Sequence, residues 1–138
     1  MERKGIASGG NLIVDYVKIV DSYPKQGNLS NILSIDRSVG GASPNVLIDL
    51  AKMDGSIPLQ AVGFVGNDEN GDYVVNELNK HNVDTALVAR HSSLGTSFTD
   101  VISVKASGER TFFQYRGANA QLGSSHFDFT KIHAEIIH

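Results

Sequence analysis

A nearly unbroken apolar run, PLQAVGFVG at residues 58–66, constrains the fold of this chain more than any other feature. Strands of this composition are buried on both faces, which is typical of parallel sheets covered by helices. Helical patterns stand on both sides of the run, because VLIDLAKMDG precedes it and DYVVNELNKH follows it. The alternation of helix and buried strand therefore predicts an α/β layer built on a parallel sheet.

Three shorter apolar segments are also predicted to be strands. GIAS at residues 5–8 and TALVA at residues 85–89 have the composition of short buried strands. AEIIH at residues 134–138 is typical of the first residues of another buried strand.

The two helices have predicted ends. In the first helix, Ser43 is a good N-cap, Pro44 suits the first helical position and Gly55 is predicted to stop the helix. The second helix is predicted to end at Asn82 in a left-handed conformation. The apolar stripe predicted for the first helix consists of Val46, Leu47, Leu50, Ala51 and Met53.

Two pairs of β-rich segments do not fit the α/β layer. LIVDYVKIV and NILSIDRSV are joined by turn residues, and TSFTDVISV and TFFQYR are joined by KASGE, which is typical of a hairpin. NILSIDRSV alternates, with Leu33, Ile35 and Val39 on one side, which predicts a strand with one wet face. These segments predict a second, smaller sheet that covers one edge of the parallel sheet.

The overall composition excludes several classes of protein. Of the 138 residues, 41% are apolar and 20% are charged, with a net charge of -3, so one domain with an ordinary core is expected and no nucleic-acid partner. No apolar run is long enough to cross a membrane, and the first residues lack the apolar stretch of a signal peptide. The absence of cysteine excludes disulfides and thiolate chemistry. These features favour a cytoplasmic protein.

Neither a metal site nor a glycine-loop ATP site is predicted. The histidines lack the spacing of a helical zinc motif; they are His81, His91, His126, His133 and His138. The chain also lacks the G-x-x-x-x-G-K-[ST] and G-x-G-x-x-G patterns by which many proteins hold nucleotide phosphates.

The segment VGGASPN is the strongest candidate for a binding site. Gly40 and Gly41 allow close approach of a ligand to the backbone, and the helix that follows presents unpaired backbone N–H groups. Asn45 adds an amide in the first turn, and Asp15 is a carboxylate within an apolar strand, where an unpaired charge is unfavourable. If Asp15 lies at the same cleft, this combination of groups suits the hydroxyls of a sugar.

Each of these residues also has a purely structural interpretation. The double glycine is compatible with a tight turn alone, Asp15 with an exposed strand edge, and Asn45 with a helix cap. The residues by themselves predict an α/β domain that binds a small molecule.

Five segments in sequence order resemble the N-terminal half of the ribokinase-like carbohydrate kinases, also called the PfkB family. They are GGNLIVD, SYPKQGN, VGGASPNVLIDLAK, AVGFVGNDENG and TSFTDVISVKASGERTFFQYRGANAQL. The resemblance covers the chain from about Gly9 to Leu122. It implies a ribokinase-like α/β fold, in which part of a parallel sheet with flanking helices carries a small β-sheet lid.

The resemblance implies a role for each candidate residue. Asp15, Gly40, Gly41 and Asn45 would hold the sugar. Residues 1–138 would be the N-terminal portion of a kinase domain, with lid strands at about 14–39 and 96–116 that pair two subunits into a homodimer. Three positions depart from the family pattern and leave these sugar contacts in register; they are Ser43, Leu47 and Asp54.

The resemblance also implies what this chain lacks. In the family, a D-T-x-G-A-G-D-like loop in the C-terminal half carries the catalytic base and an anion hole, and an N-x-x-E motif binds magnesium. Neither motif has a match here. Because phosphoryl transfer depends on positioning and charge stabilisation at the phosphate, we expect this chain to be inactive alone. We also expect it to contain no catalytic residue and no metal ligand, and to bind neither ATP nor magnesium by itself.

The acceptor is left open by the sequence. A fructokinase- or ribokinase-like sugar kinase is the first hypothesis, and a non-catalytic sugar-binding module or a nucleoside kinase are alternatives. Arg116 after Tyr115 resembles the arginine with which acid-sugar kinases of the family bind a carboxylate, although Gln114 stands where that pattern has an aromatic residue. Otherwise Arg116 is solvated or pairs with Glu109 or Asp100 across the hairpin.

Overall fold

The structure, a computed structural model, describes residues 2–138. Within them the chain forms two four-stranded sheets, two α-helices and two short 3-10 helices. The strands are β1 (Ile6–Gly9), β2 (Ile13–Val20), β3 (Ile32–Gly40), β4 (Leu59–Gly66), β5 (Val83–His91), β6 (Ser97–Val104), β7 (Arg110–Tyr115) and β8 (Ile136–Ile137). The helices are α1 (Ala42–Met53), α2 (Glu69–Lys80) and the 3-10 segments Gly117–Gln121 and Ser124–His126.

The first sheet is parallel throughout, with strand order β5-β4-β1-β8. Its strand β4 is almost completely buried, which confirms the interpretation of the apolar run. Leu47 of α1 and Val74 and Leu78 of α2 are buried in the core against this sheet. The predicted α/β layer is therefore confirmed, and AEIIH contributes the short strand β8.

The second sheet has the strand order β3-β2-β6-β7. The β2–β3 and β6–β7 pairs are antiparallel, as predicted, and β2 and β6 join the two pairs through a parallel register eight residues long. The sequence does not indicate this central parallel pairing, because β2 and β6 are separated by most of the chain.

The start of α1 differs from the prediction. Gly41 is the N-cap, and Ser43 already lies inside the first turn, so Ser43 does not cap the helix. The Ser43 hydroxyl is buried and donates a hydrogen bond to the Ser8 carbonyl of β1 at 2.9 Å. Ser43 therefore ties α1 to the parallel sheet. Pro44 also lies in the first turn, where its missing N–H has no intrahelical partner to lose.

The end of α1 also differs from the prediction. The helix ends at Met53, and Asp54 rather than Gly55 forms the C-cap, in an extended conformation. The Asp54 carboxylate accepts hydrogen bonds from the Ser56 backbone N–H and hydroxyl, a local turn that competes with further helix. Met53 was predicted on the apolar stripe but is exposed. The end of α2 follows the prediction, since Asn82 has a φ of 57°.

The start of strand β3 is more exposed than its alternating sequence predicts. Leu33 and Ile35 are 50% and 59% exposed, although they were predicted on the covered side. The reason is that α2 covers the sheet near Tyr16 of β2 and Arg37 of β3 and does not extend to the start of β3. The Tyr16 hydroxyl donates a hydrogen bond to Asn70 of α2, and the Arg37 guanidinium lies over the Tyr73 ring. None of the helices within residues 2–138 has the length and apolar character that crossing a membrane requires.

Candidate functional site

The predicted site residues lie where the two sheets meet. A short connection leads from the end of β1 at Gly9 into β2, so the parallel sheet continues directly into the second sheet. Gly40, the last residue of β3, is the register partner of Ile13 in β2, and α1 begins two residues later. The carboxyl end of β1, the strand that carries Asp15 and the N-terminus of α1 are therefore adjacent.

Asp15 lies against the backbone of Gly40. A Cβ atom at Gly40 would stand 2.1 Å from Asp15 Oδ2, so only glycine leaves room for this carboxylate. Asp15 is half-buried, and burial raises its pKa above the ordinary aspartate value, an effect partly offset by the Thr99 side chain. The structure thus places Asp15 next to the double glycine. Its carboxylate has lost part of its hydration and gained too few hydrogen bonds to replace it.

Gly41 is required by conformation and by space. Its φ is 96°, in the region that side chains rarely adopt, and a Cβ atom there would stand 2.1 Å from the Asn11 carbonyl oxygen. As the N-cap, Gly41 precedes backbone N–H groups that have no acceptor within the helix. Gly41 therefore forms a tight turn and at the same time packs closely against the connection between β1 and β2.

Asn45 lies in the first turn of α1 with an exposed side chain. Its backbone N–H donates to the Gly41 carbonyl at 3.3 Å. The alternative that Asn45 caps the helix is wrong, because the N-cap is Gly41 and the Asn45 side chain forms no hydrogen bond within residues 2–138. The amide of Asn45 is thus positioned next to the double glycine without a capping role.

A row of polar residues crosses the second sheet at the level of Asp15. Ser38 in β3 and Thr99 in β6 are the register partners of Asp15, and Gln114 in β7 is the partner of Thr99. Register partners on adjacent strands share a face, so these side chains lie on the Asp15 face of the sheet. Ser38 and Thr99 cannot be singled out from the sequence, because only the register between distant strands places them beside Asp15.

Arg116 directly follows β7, with an exposed side chain. The alternative pairings across the hairpin are wrong, because Asp100 pairs with Lys18 and Glu109 interacts with Ser107. Among residues 2–138 no ion pair of Arg116 is present. The backbone carbonyl of Arg116, in contrast, is fixed by a hydrogen bond from the Ser97 hydroxyl.

Asn119 is buried, although its sequence context predicts only a loop. Its side chain donates to the Leu12 carbonyl at 3.0 Å and accepts from the Leu12 N–H at 3.4 Å. Its own N–H donates to the Ser97 hydroxyl at 3.4 Å. Asn119 therefore holds the β1–β2 connection whose Asn11 carbonyl packs on Gly41.

The described residues do not fit a magnesium site. Within residues 2–138 there is no group of three or more His, Cys, Asp or Glu side chains that could hold a metal ion. What the arrangement offers is one half-buried carboxylate, a helix N-terminus, an exposed amide and a row of hydroxyl and amide side chains. These groups suit a neutral molecule with several hydroxyl groups.

Comparison with protein families and curated proteins identifies related sequences. A family model described as pfkB family carbohydrate kinase matches residues 3–137. Fructokinase-2 from Zea mays is 33% identical over 119 residues, which is 85% of this chain and 33% of that protein. A 5-dehydro-2-deoxygluconokinase from Clostridium perfringens is 29% identical over 100 residues, 68% of this chain and 27% of that protein. The chain spans about a third of the length of the curated relatives it matches.

Solved structures share the fold. A ribokinase from Thermotoga maritima superposes with a TM-score of 0.86 at 24% identity, covering 97% of this chain and 44% of that one. A nucleoside kinase from Methanocaldococcus jannaschii superposes with a TM-score of 0.83 at 17% identity, covering 100% of this chain and 45% of that one. At these identities the superpositions show a common ribokinase-like fold.

Proposed function

This chain belongs to the PfkB family of carbohydrate kinases, and on that premise we propose that it binds the acceptor sugar of an ATP-dependent kinase. The observation that carries the proposal is the close contact of the Asp15 carboxylate with Gly40, next to the N-terminus of α1. Asp15, Gly40, Gly41 and Asn45 are the proposed substrate-binding residues. The second sheet acts as the lid over them.

The chemistry of these groups matches a sugar. An ionised carboxylate accepts hydrogen bonds from two hydroxyls, and charge-assisted hydrogen bonds of this kind are stronger than neutral ones. The helix N-terminus offers donors to hydroxyl oxygens, and the Asn45 amide both donates and accepts. Asp15 holds the sugar rather than deprotonating it, so the base that activates the attacking hydroxyl is proposed to lie outside these 138 residues.

The other half of the reaction is likewise proposed to come from outside this chain. ATP would supply the phosphoryl group, and magnesium would neutralise the charge of its phosphates. A solved structure with a similar fold, a ribokinase from Arabidopsis thaliana, is complexed with ribose and ATP. Because the described residues do not fit the metal, we assign no step of the transfer to them. The 138 residues alone are proposed to be inactive, in a protein that functions in the cytoplasm.

The preferred acceptor is proposed to be a neutral sugar such as fructose or ribose. The curated relatives include fructokinases, and Ser38, Thr99 and Gln114 around Asp15 carry no charge. An acid sugar is the second candidate, favoured by one observation, the exposed guanidinium of Arg116 that forms no ion pair within the described residues. A nucleoside kinase and a non-catalytic sugar-binding module are the remaining alternatives.

A homodimer through the second sheet is part of the proposal. Its two edge strands expose large apolar side chains, namely Ile32, Leu33 and Ile35 in β3 and Phe112 and Phe113 in β7. Exposed apolar side chains on edge strands favour pairing with another chain, and a second copy of the sheet would cover them. A monomeric mass at high protein concentration would contradict this part of the proposal.

The test is a panel of acceptors with the protein as its gene encodes it, beside the isolated 138-residue chain. We expect ATP-dependent phosphorylation of a neutral ketose or pentose by the former and none by the latter. Turnover by the purified 138 residues would contradict the assignment of the base and ATP site to other residues. Binding of a sugar without turnover by the protein as encoded would favour the non-catalytic module.

A further inference from the structure

A cluster of hydrogen bonds joins the two sheets at the start of β6 and includes none of the proposed sugar contacts. Asp68 is the N-cap of α2, and its carboxylate accepts from the Gly71 N–H at 2.8 Å. The same carboxylate accepts from the Thr96 N–H at 2.8 Å and from the Thr96 hydroxyl at 2.6 Å. The Thr96 hydroxyl in turn accepts from the Gly66 N–H, at the end of β4, at 2.8 Å. We call Asp68 and Thr96 the joint.

The joint does more than cap a helix. Capping α2 requires a single carboxylate oxygen facing the Gly71 N–H. Here the second oxygen, Oδ2, is used by the Thr96 N–H, and the Thr96 side chain is almost fully buried between Gly66 and Asp68. Both extra contacts fix the first residue before β6 to the end of the parallel sheet.

Close packing leaves this region little freedom to move. A Cβ atom at Gly66 would stand 2.5 Å from the Thr96 nitrogen, and one at Gly71 would stand 2.3 Å from the Gly66 carbonyl oxygen. The Gly95 carbonyl also accepts from the Ala118 N–H at 2.8 Å, which holds the segment before Thr96 from the other side. The connection from β5 to β6 is therefore locked at Gly95 and Thr96.

The joint is connected to Asp15 through the register of the second sheet. β6 begins at Ser97, directly after the joint, and runs parallel to β2. Thr99, three residues after Thr96, is the register partner of Asp15. A displacement of the start of β6 would therefore displace the strand that flanks the Asp15 carboxylate.

We propose that Asp68 and Thr96 are positioning residues that hold the second sheet at the distance from the parallel sheet at which Asp15 binds the acceptor. The inference rests on the proposed sugar-binding function. The joint touches no sugar itself and acts through β6 and its pairing with β2. Its loss is expected to weaken sugar binding without unfolding the parallel sheet.

Variants can remove the extra contacts one at a time. Asp68→Asn keeps one acceptor oxygen for the helix cap but replaces the acceptor of the Thr96 N–H with an amide donor. Thr96→Val removes the hydroxyl at nearly constant shape, and Thr96→Ser restores it. Glu77→Gln is the matched control, because Glu77 lies on the same helix and pairs with Lys80 of that helix rather than with β6.

Two readouts are measured on the protein as its gene encodes it. Calorimetric titration with D-fructose and D-ribose gives the sugar affinity, and hydrogen exchange compares the β6 amides with the β4 amides. We expect Asp68→Asn and Thr96→Val to weaken sugar binding about fivefold to tenfold, the effect of one lost buried hydrogen bond, and to speed exchange in β6 but not in β4. Thr96→Ser and Glu77→Gln should behave like the wild type in both measurements.

The outcomes separate this inference from the proposed function. Unchanged affinity and unchanged β6 exchange in Asp68→Asn and Thr96→Val would overturn the inference, whatever the global stability does, and would leave Asp68 as a helix cap. If the wild type binds no sugar, the proposed function fails, and the exchange data alone then decide whether the joint holds β6. Equal acceleration of exchange in β4 and β6 would show a general structural role and would also overturn the inference.

Discussion

Asp15 and Asp68 are both half-buried carboxylates near the seam between the two sheets, but their surroundings differ. Burial raises the pKa of Asp15, and only the Thr99 side chain partly offsets this rise. Burial would also raise the pKa of Asp68, but hydrogen bonds from the Thr96 side chain and backbone and from the Gly71 backbone, with the Arg90 charge, lower it overall. Asp68 is thus satisfied within the protein, whereas Asp15 retains capacity to accept hydrogen bonds.

This difference separates a binding group from a structural one. A carboxylate that loses water without gaining donors destabilises the folded protein, and a ligand with hydroxyl groups removes that penalty when it binds. A carboxylate saturated by backbone N–H groups stabilises the fold and has little left to offer a ligand.

Replacing Asp15 has the largest expected effect on function. Asp15→Ala should lower sugar affinity and turnover about 100-fold, because two charge-assisted hydrogen bonds to hydroxyls are lost. The loss should extend to every sugar in the panel, since the contact is to a hydroxyl. Titration calorimetry and steady-state kinetics of the protein as encoded measure it, and wild-type affinity in Asp15→Ala would show that the site is misplaced.

Replacing Gly40, which leaves room for the Asp15 carboxylate, should have a slightly smaller effect on sugar affinity. Gly40→Ala places a Cβ atom 2.1 Å from Asp15 Oδ2 and must displace the carboxylate, so we expect about a tenfold to 50-fold loss of sugar affinity. Gly55→Ala is the control, because a Cβ atom at Gly55 meets nothing closer than 3.9 Å. Equal affinities of the two variants would mean that the contact between Gly40 and Asp15 is irrelevant to binding.

Stability should respond to the two aspartates in opposite directions. Asp68→Ala removes the cap of α2 and leaves the Thr96 N–H without its acceptor, which should lower the free energy of unfolding by about 2 kcal/mol. Asp15→Asn should leave it unchanged or raise it, because a half-buried charge is removed. Urea unfolding measures both, and a loss in Asp15→Asn as large as that in Asp68→Ala would break the comparison.

The pH dependence of stability should also have opposite signs. Between the ordinary aspartate pKa and the raised pKa of Asp15, the folded protein holds a proton that the unfolded chain has released, so the contribution of Asp15 to stability falls as pH rises. The lowered pKa of Asp68 makes its contribution present above the ordinary aspartate pKa and lost as pH falls through its folded value. Urea unfolding across this pH range gives the free energy of unfolding of the wild type, Asp15→Asn and Asp68→Asn. The difference between the wild type and each variant should change with pH in opposite directions for the two variants. Parallel profiles would contradict the assignment.

The sequence was sufficient where the signal is local. The apolar run of β4, the helical stripes and the turn residues predicted both sheets and both helices, and the order of Asp15, the double glycine and Asn45 predicted which residues come together. It failed where a local preference is overridden. Ser43 has the chemistry of an N-cap, but the left-handed Gly41 starts the helix first and the Ser43 hydroxyl bonds to β1 instead.

Long-range pairing could not be predicted in the same way. Thr99 lies beside Asp15 only because β2 and β6 pair in parallel, although the two residues are far apart in the sequence. Thr96 and Asn119 are short polar residues in segments that read as a strand start and a loop, and their buried hydrogen bonds depend on elements far away in the sequence. Residues of this kind are identified by their partners, which the sequence alone does not give.

The smallest expected effect is at Arg116. For a neutral acceptor, Arg116→Ala should change affinity less than twofold, because an exposed side chain without an ion pair contributes little. Kinetics with fructose, ribose and an acid sugar measure this. A selective loss on the acid sugar would instead establish the second candidate acceptor.

The most direct test of the central claim is to follow the carboxyl carbons of Asp15 and Asp68 by NMR through a pH titration, with and without saturating sugar. Hydroxyls that donate to the ionised form of a carboxylate lower its pKa. We predict that the preferred sugar lowers the pKa of Asp15 from its raised value and leaves the pKa of Asp68 unchanged. A pKa of Asp15 that does not move when the sugar is bound would contradict the account.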